Sequence, residues 1–264
     1  MKNTINSPKA QVQTSEQIRF KALCEADEAA IPPESVGIGT YNEKRIHRIL
    51  KRFVCDNEAC FEIKLGRYVA DVLEDDRITE IQTAGFTPLE KKIRFYLDNT
   101  DCKITVIHPM IAEKQIIRTD KESGELIRAK RSPKHQTPLD VLPELLYVSE
   151  FIGNERVEID LFMIRADEYR YSERMRYNKK GKYDNDIIPR ELIDVYTIRS
   201  VDDIRALIPE SLRDAPHRTA EISKILGYDG RRLYRALSCL VNLQILHKIP
   251  TGKKVVLYEF VNVT

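Results

Sequence analysis

Asp71 is followed nine residues later by Glu80, then by Ile81 and Gln82, inside the stretch Tyr68-Val-Ala-Asp-Val-Leu-Glu-Asp-Asp-Arg-Ile-Thr-Glu-Ile-Gln-Thr83. Two β-type runs separated by Glu74-Asp75-Asp76-Arg77 read as a hairpin. Closed at Asp75-Asp76, it sets Asp71 across from Glu80 and Val69 across from Gln82. Period-two alternation then puts Asp71, Glu80 and Gln82 on one face. Like charges directly opposite each other on a sheet repel, so this pair needs a solvated edge, a raised pKa or a cation between its members. A divalent metal resolves the conflict best, and the plain alternative is a solvent-facing hairpin whose acids happen to oppose each other.

A second group of residues is basic. Residues 199–264 hold 11 Lys plus Arg against 7 Asp plus Glu, although the whole chain of 264 residues carries a net charge of only +2. Arg231, Arg232 and Arg235 open a helix on its polar side, and Lys253 and Lys254 lie in the turn region of a hairpin, positions suited to phosphate and groove contacts. A basic, tyrosine-containing loop is expected at Tyr169 to Tyr183, where a solvated excursion competes with a ligand-binding role.

The elements that must position these residues follow from periodicity and caps. Thr14 and Gln17 form a capping box for a helix reaching Ala29, with Ile18, Leu23 and Ala26 on one side. Thr40 can cap a second helix, Tyr41 to Val54, with Ile46, Ile49, Leu50 and Phe53 inward. Strands are expected at Phe61 to Leu65, Tyr68 to Leu73 and Ile78 to Thr83, a helix after Thr87-Pro88, and a strand from Lys103 to His108. A hairpin around Glu122-Ser123-Gly124, a helix from Pro138 to Ile152 and a strand from Val157 to Arg165 follow. From Ser200 the pattern reads as three helices and a β-hairpin, with the third helix starting at Asp229.

The Asp, short spacer, Glu-x-Gln pattern on adjoining strands, in an α-β-β-β-α-β order, resembles the PD-(D/E)XK nuclease superfamily over roughly residues 37 to 110. The resemblance implies that Asp71 and Glu80 bind Mg²⁺ or Mn²⁺ together with the Ile81 carbonyl, and that Glu43, in Thr40-Tyr-Asn-Glu-Lys-Arg, is the acid of the first core helix. The third motif position is usually Lys and here is Gln82, which can orient water but carries no charge; Lys64, Lys92 or Arg94 could supply it from elsewhere. His47, one turn after Glu43, could flank the metal. The implied chemistry is metal-assisted phosphodiester hydrolysis. Residues 199–264, through their element order and Thr219-Ala-Glu-Ile-Ser-Lys-Ile-Leu-Gly227, resemble a winged helix-turn-helix domain.

The expected fold is therefore α/β, a restriction-endonuclease-like core with a C-terminal winged helix: an arm and helix over residues 1–36, a nuclease-like domain over 37–198 and the winged helix over 199–264. The expected function is a Mg²⁺-dependent DNA endonuclease. The rivals are a non-catalytic DNA-binding regulator and an interaction subunit of a mobile-element or defence complex, acting with a protein partner or as a homodimer. No apolar run approaches the ~20 residues of a membrane helix. Met1 to Gln17 lacks the apolar segment of a secretory signal, so a cytoplasmic location is expected. Five scattered cysteines without a CxxC pair and five single histidines give no zinc pattern, and no small-molecule cofactor is expected.

Overall fold

The computed structural model describes residues 13–30, 42–120, 125–172, 185–252 and 256–261. Thr14 caps α1 (Ser15–Ala29) through the expected box: its hydroxyl accepts from the Gln17 N–H at 3.2 Å, and the Gln17 side chain accepts from the Thr14 N–H at 3.0 Å. Of the expected face only Leu23 packs inward, half-buried. Phe20, Cys24 and Asp27 point inward, whereas Ile18 is 56% exposed and Ala26 lies in solvent. Hydrophobic periodicity misses this face because it contains an acid. Asp27 accepts from Arg48 at 2.6 Å and forms an ion pair with Arg45 at 2.8 Å, both on α2 (Asn42–Val54), so the buried charge is paired. Ile46, Ile49 and Leu50 form the inward stripe of α2, and Phe53 stacks edge-on to Phe20 and Phe162. The proposed Thr40 cap lies outside the described residues.

β1 (Phe61–Leu65), β2 (Tyr68–Glu74) and β3 (Arg77–Ile81) make an antiparallel meander. Gly66, at the first turn, has φ +58°, and a Cβ there would meet the Phe95 ring at 2.5 Å, so both backbone and space require glycine. β3 ends at Ile81, which moves Gln82 from the strand into the connection that follows. The chain crosses through α3 (Leu89–Asn99) and returns as β4 (Lys103–Asp120), parallel to β3. β4 is one strand of 18 residues where a short strand and a separate hairpin arm were expected; a register shift between Ile111 and Glu113 lets it continue. β5 (Leu126–Arg131) turns back on its far half; the expected turn at Glu122-Ser123-Gly124 lies outside the described residues.

The 138–151 segment is helical but not one helix: a 3₁₀ turn, a single α turn α4 (Leu142–Leu145) and a second 3₁₀ stretch, with Pro143 preventing a continuous α ladder. β6 (Val157–Ser172) runs parallel to β4 and extends past Arg165, so Tyr169 and Arg170 sit in a strand; residues 173–184 of the expected basic loop lie outside the described part. β7 (Asn185–Ile198) pairs antiparallel with β6 and had no counterpart in the sequence reading. Its Pro189, which argues against a strand interior, sits at a shift in register between Arg165 and Ala166. The large sheet is ordered β1-β2-β3-β4-β6-β7, with β5 also on β4.

Ser200 caps α5 (Val201–Leu207) with a capping box to Asp203. A two-residue strand, β8 (His217–Arg218), leads into α6 (Thr219–Leu226), which stops at Gly227 with φ +68°. α7 (Gly230–Asn242) follows, then β9 (Leu246–Pro250) and β10 (Val256–Phe260), giving a small sheet ordered β8-β10-β9.

Two apolar clusters hold the molecule together. One joins α1 and α2 to Ile81, Ile107, Phe162, Ile164 and Leu192 of the sheet. The other joins Ile78, Ile104 and Val106 to α3 and the 138–151 segment and continues unbroken into α5, α6, α7 and β10. Ile78 and Ile81, an odd number of residues apart on β3, serve different clusters, so helices cover both faces of the sheet. The result is a mixed α/β fold with seven α-helices among the described residues, none long and apolar enough to cross a membrane.

Candidate functional site

The β2–β3 hairpin closes as the sequence requires. Glu74 pairs with Arg77, Leu73 with Ile78 and Val72 with Thr79, around a turn whose Asp75 has φ +49°. One step further, where Asp71 would face Glu80, a side chain takes over: the Asp71 carboxylate accepts from the Ile81 N–H at 2.8 Å. The opposed ladder pair expected there is thus replaced by a side-chain-to-backbone bond. Asp71 also lies 3.2 Å from His47 Nε2 on α2. Burial alone would push the Asp71 carboxyl up, but the His47 contact and the Ile81 N–H outweigh it and hold Asp71 below the usual carboxylate range.

Glu80 is held from α3. Lys92 Nζ is 2.5 Å from Oε2, and the Tyr96 hydroxyl donates to Oε1 at 2.8 Å. Lys92 and Tyr96 are one helical turn apart and so reach the same carboxylate. Glu80 is only 3% exposed, and burial pushes it up to about 7, with Lys92 opposing and the charge of Asp71 adding to the shift. The two acids therefore feel each other's field, as their types and spacing implied, while being engaged by two different helices.

Gln82 anchors the connection to α3. Its N–H donates to the Ile107 carbonyl at 2.9 Å, its side-chain amide donates to the Gly85 carbonyl at 2.7 Å, and its own carbonyl accepts from His108 Nδ1 at 2.6 Å. That partner makes Nδ1 the protonated nitrogen. Burial pushes the His108 pKa down, which keeps the ring neutral, and Phe86 stacks on it edge-on at 5.0 Å. Glu144 completes the turn by accepting from the Phe86 N–H at 3.1 Å.

Beside His47 an open cleft of about 630 Å³ runs along α2, lined by Arg48, Lys51, Arg52, Glu58, Phe61 and Glu62. Its cations are paired: Lys51 with Glu62 at 2.8 Å and Arg52 with Glu58 at 2.8 Å. Glu43 lies on the first turn of α2, one turn before His47, and its side chain is outside the described part. Among the described residues no group of three or more His, Cys, Asp or Glu side chains stands together as a metal cage. The oxygens that a cation could share here are those of the Asp71 and Glu80 carboxylates, each already engaged: Asp71 by His47 and the Ile81 N–H, Glu80 by Lys92 and Tyr96.

Residues 44–199 match the model of a domain family of unknown function, DUF8091. The chain belongs to that family. No curated protein and no solved structure matches it. The DUF8091 segment takes in His47, Asp71, Glu80, Gln82, Lys92 and Tyr96, and it ends at Arg199, one residue before the cap of α5.

Outside the DUF8091 segment, α7 carries the expected arginines in two different settings. Arg231 is exposed to solvent. Arg232 reaches Asp140 at 3.1 Å and covers the Tyr228 ring at 4.9 Å, and Arg235 covers the Tyr147 ring at 5.4 Å. These two face the 138–151 segment because α7 packs on it. Lys253 and Lys254 lie outside the described residues. Of the site residues, Tyr96 is the one that the sequence does not single out; the signal that points to it is its spacing of one turn from Lys92.

Proposed function

We propose that this chain is a Mg²⁺- or Mn²⁺-dependent DNA endonuclease of the PD-(D/E)XK kind, with residues 199–264 serving as a winged helix. The observation that carries the reading is the contact of Lys92 with Glu80, a carboxyl that also feels the charge of Asp71: a lysine serves the second acid of the pattern although it is absent from position 82. The order α2, β1, β2, β3, α3, β4 around them supports it, as does the order α5, β8, α6, α7, β9, β10 in the C-terminal part.

The donor set fits a hard divalent cation. Its members are oxygens, and Glu80 is held up at about 7 in a buried setting where positive charge would stabilise its ionised form. Bound there, Mg²⁺ supplies charge neutralisation at a phosphodiester and an acidified water. The remaining work falls to the chain. His47 and the Ile81 N–H keep Asp71 ionised. Lys92 holds a positive charge where Gln82 cannot, and Tyr96 orients Glu80. Gln82 is fastened through its backbone on both sides, and its side-chain amide bonds the Gly85 carbonyl.

Incubating supercoiled plasmid with the protein and Mg²⁺ or Mn²⁺ tests the reading. Wild type nicks or linearises it and Asp71→Asn does not; equal activity of the two would remove the assignment. The non-catalytic readings, a DNA-binding regulator or an interaction subunit, draw on one specific observation: the Gln82 amide is already committed to Gly85. A wild-type protein that binds DNA and cuts with neither metal would favour them.

A further inference from the structure

The far half of the sheet carries arginines in an arrangement that edge protection does not account for. β5 pairs with β4 along one side, and all six of its residues, Leu126 to Arg131, are exposed. Arg128 of β5 lies directly opposite Arg118 of β4, and Arg118 lies directly opposite Arg170 of β6. Residues directly opposite share a face, so three guanidinium groups stand in one row across three neighbouring strands, about 10 Å from end to end. Arg170 is bonded to Glu168 at 2.6 Å. Among the described residues Arg118 and Arg128 make no ion pair, and both are exposed. Lys130 and Arg131 follow on β5, a strand with no acidic residue.

Charged residues on an edge strand serve to discourage pairing with another sheet. That accounts for Arg128 or Lys130, but not for Arg118, which lies between two paired neighbours. Like charges facing each other across strands cost stability, and nothing within the described protein repays the Arg118–Arg128 juxtaposition. An anionic partner would repay it. We infer that the row Arg128–Arg118–Arg170, extended along the edge by Lys130, is a binding surface for the phosphate backbone of duplex DNA, separate from α7. This rests on the DNA-directed reading above and adds to it a contact surface within the sheet. A row of guanidinium groups, each a planar fork of N–H donors that matches phosphate oxygens, suits a continuous polyanion read without regard to sequence.

The test is a salt titration of binding to a fluorescent 30-base-pair duplex, without metal, comparing wild type with Arg118→Gln/Arg128→Gln. The double variant should bind roughly tenfold more weakly at 100 mM salt, with a slope of log K against log salt smaller by about two. In the absence of DNA its Tm should hold or rise, because the repulsion is gone; a merely structural pair would lower it. Wild-type affinity and slope in the double variant would overturn the inference while leaving the nuclease reading standing. Failure of wild-type protein to bind the duplex at 50 mM salt would overturn it as well, and the nuclease reading would then be judged by cleavage of single strands against Asp71→Asn. A change in sedimentation of the double variant with unchanged DNA binding would assign the edge to a contact between copies of this chain, and would overturn the inference too.

Discussion

Lys92 Nζ lies 2.5 Å from Glu80 Oε2, joining the crossover helix α3 to the strand β3 that precedes it. The pair is almost closed to solvent, with Glu80 3% exposed, and in the nuclease reading its lysine stands in for the one missing at position 82. A helix delivers this charge because Leu89, Ile93 and Tyr96 fix the inward face of α3, which leaves Lys92 at its border. Lys92→Met keeps the stem and removes the charge. In the nuclease reading it should lower cleavage by roughly 10²-fold or more, the usual loss when one electrostatic contact to a transition state is removed. Cleavage unchanged by Lys92→Met, measured under single-turnover conditions, would exclude Lys92 from the chemistry.

The buried state of Glu80 sets a pH dependence of stability. Its carboxyl is raised from 4.5 to about 7, chiefly by burial, with the charge of Asp71 adding to it. Between those values the native state holds a proton that the unfolded chain has released, so unfolding free energy falls as pH rises from about 4.5 to about 7 and levels off above. The loss is about 3 kcal/mol at most. Denaturant titrations of metal-free protein across that window should show the decline in wild type and a flatter line in Glu80→Gln. Parallel lines would mean that Glu80 ionises as an ordinary carboxylate.

The hairpin that carries both acids was legible in the sequence because every local signal agreed: alternation in β2 and β3 and a polar Asp75-Asp76 turn with one residue at positive φ. The caps Thr14 and Ser200 were legible for the same reason, since each bonds residues three positions on. What failed was whatever depended on partners far away in the chain. Asp27 is inward only because Arg45 and Arg48 meet it, and β7 keeps Pro189 only because β6 shifts register there. The 18 residues of β4 exceed any local strand signal, since half of them pair with β5 and the extension of β6. Lys92 was one of three lysine or arginine candidates on the neighbouring strand and helix, and the α3 crossover brings it to Glu80.

Gly66 offers a test of the fold itself. With φ +58° and the Phe95 ring 2.5 Å from where a Cβ would stand, Gly66→Ala should cost about 1–3 kcal/mol, combining a backbone penalty with displacement of a ring that packs on Tyr68 and Tyr96. The same disturbance reaches Tyr96, so the Glu80 site should loosen with it. A Tm equal to wild type would show that the β1–β2 turn tolerates the added methyl.

Gln82 separates an active site from a silenced one. Its amide spans the turn to Gly85, so Gln82→Ala should cost about 0.5–1.5 kcal/mol in stability for the lost bond. If the amide also orients water, the cleavage rate should fall by roughly 10²-fold as well, with metal affinity near wild type. Gln82→Lys should keep or raise activity. No cleavage by wild type and clear cleavage by Gln82→Lys would point to a nuclease fold used for binding.

The arginines of α7 should divide into two classes. Arg232 pairs with Asp140 and covers Tyr228 while remaining 55% exposed, so Arg232→Ala should lose about 1 kcal/mol of stability, most of it from the ring contact, because a half-exposed ion pair is worth little. Arg231 is exposed, and Arg231→Ala should leave Tm unchanged while lowering the salt slope of DNA binding by about one. The contrast follows from the packing of α7 on the 138–151 segment: a residue that holds two parts of the protein together is not free to meet a phosphate. Should Arg232→Ala reduce the salt slope as much as Arg231→Ala, with no loss of Tm, the Asp140 contact would be one that opens on DNA, and α7 would approach the duplex by a wider face. Should neither change the slope, the C-terminal elements bind something other than DNA, and the interaction-subunit reading takes precedence.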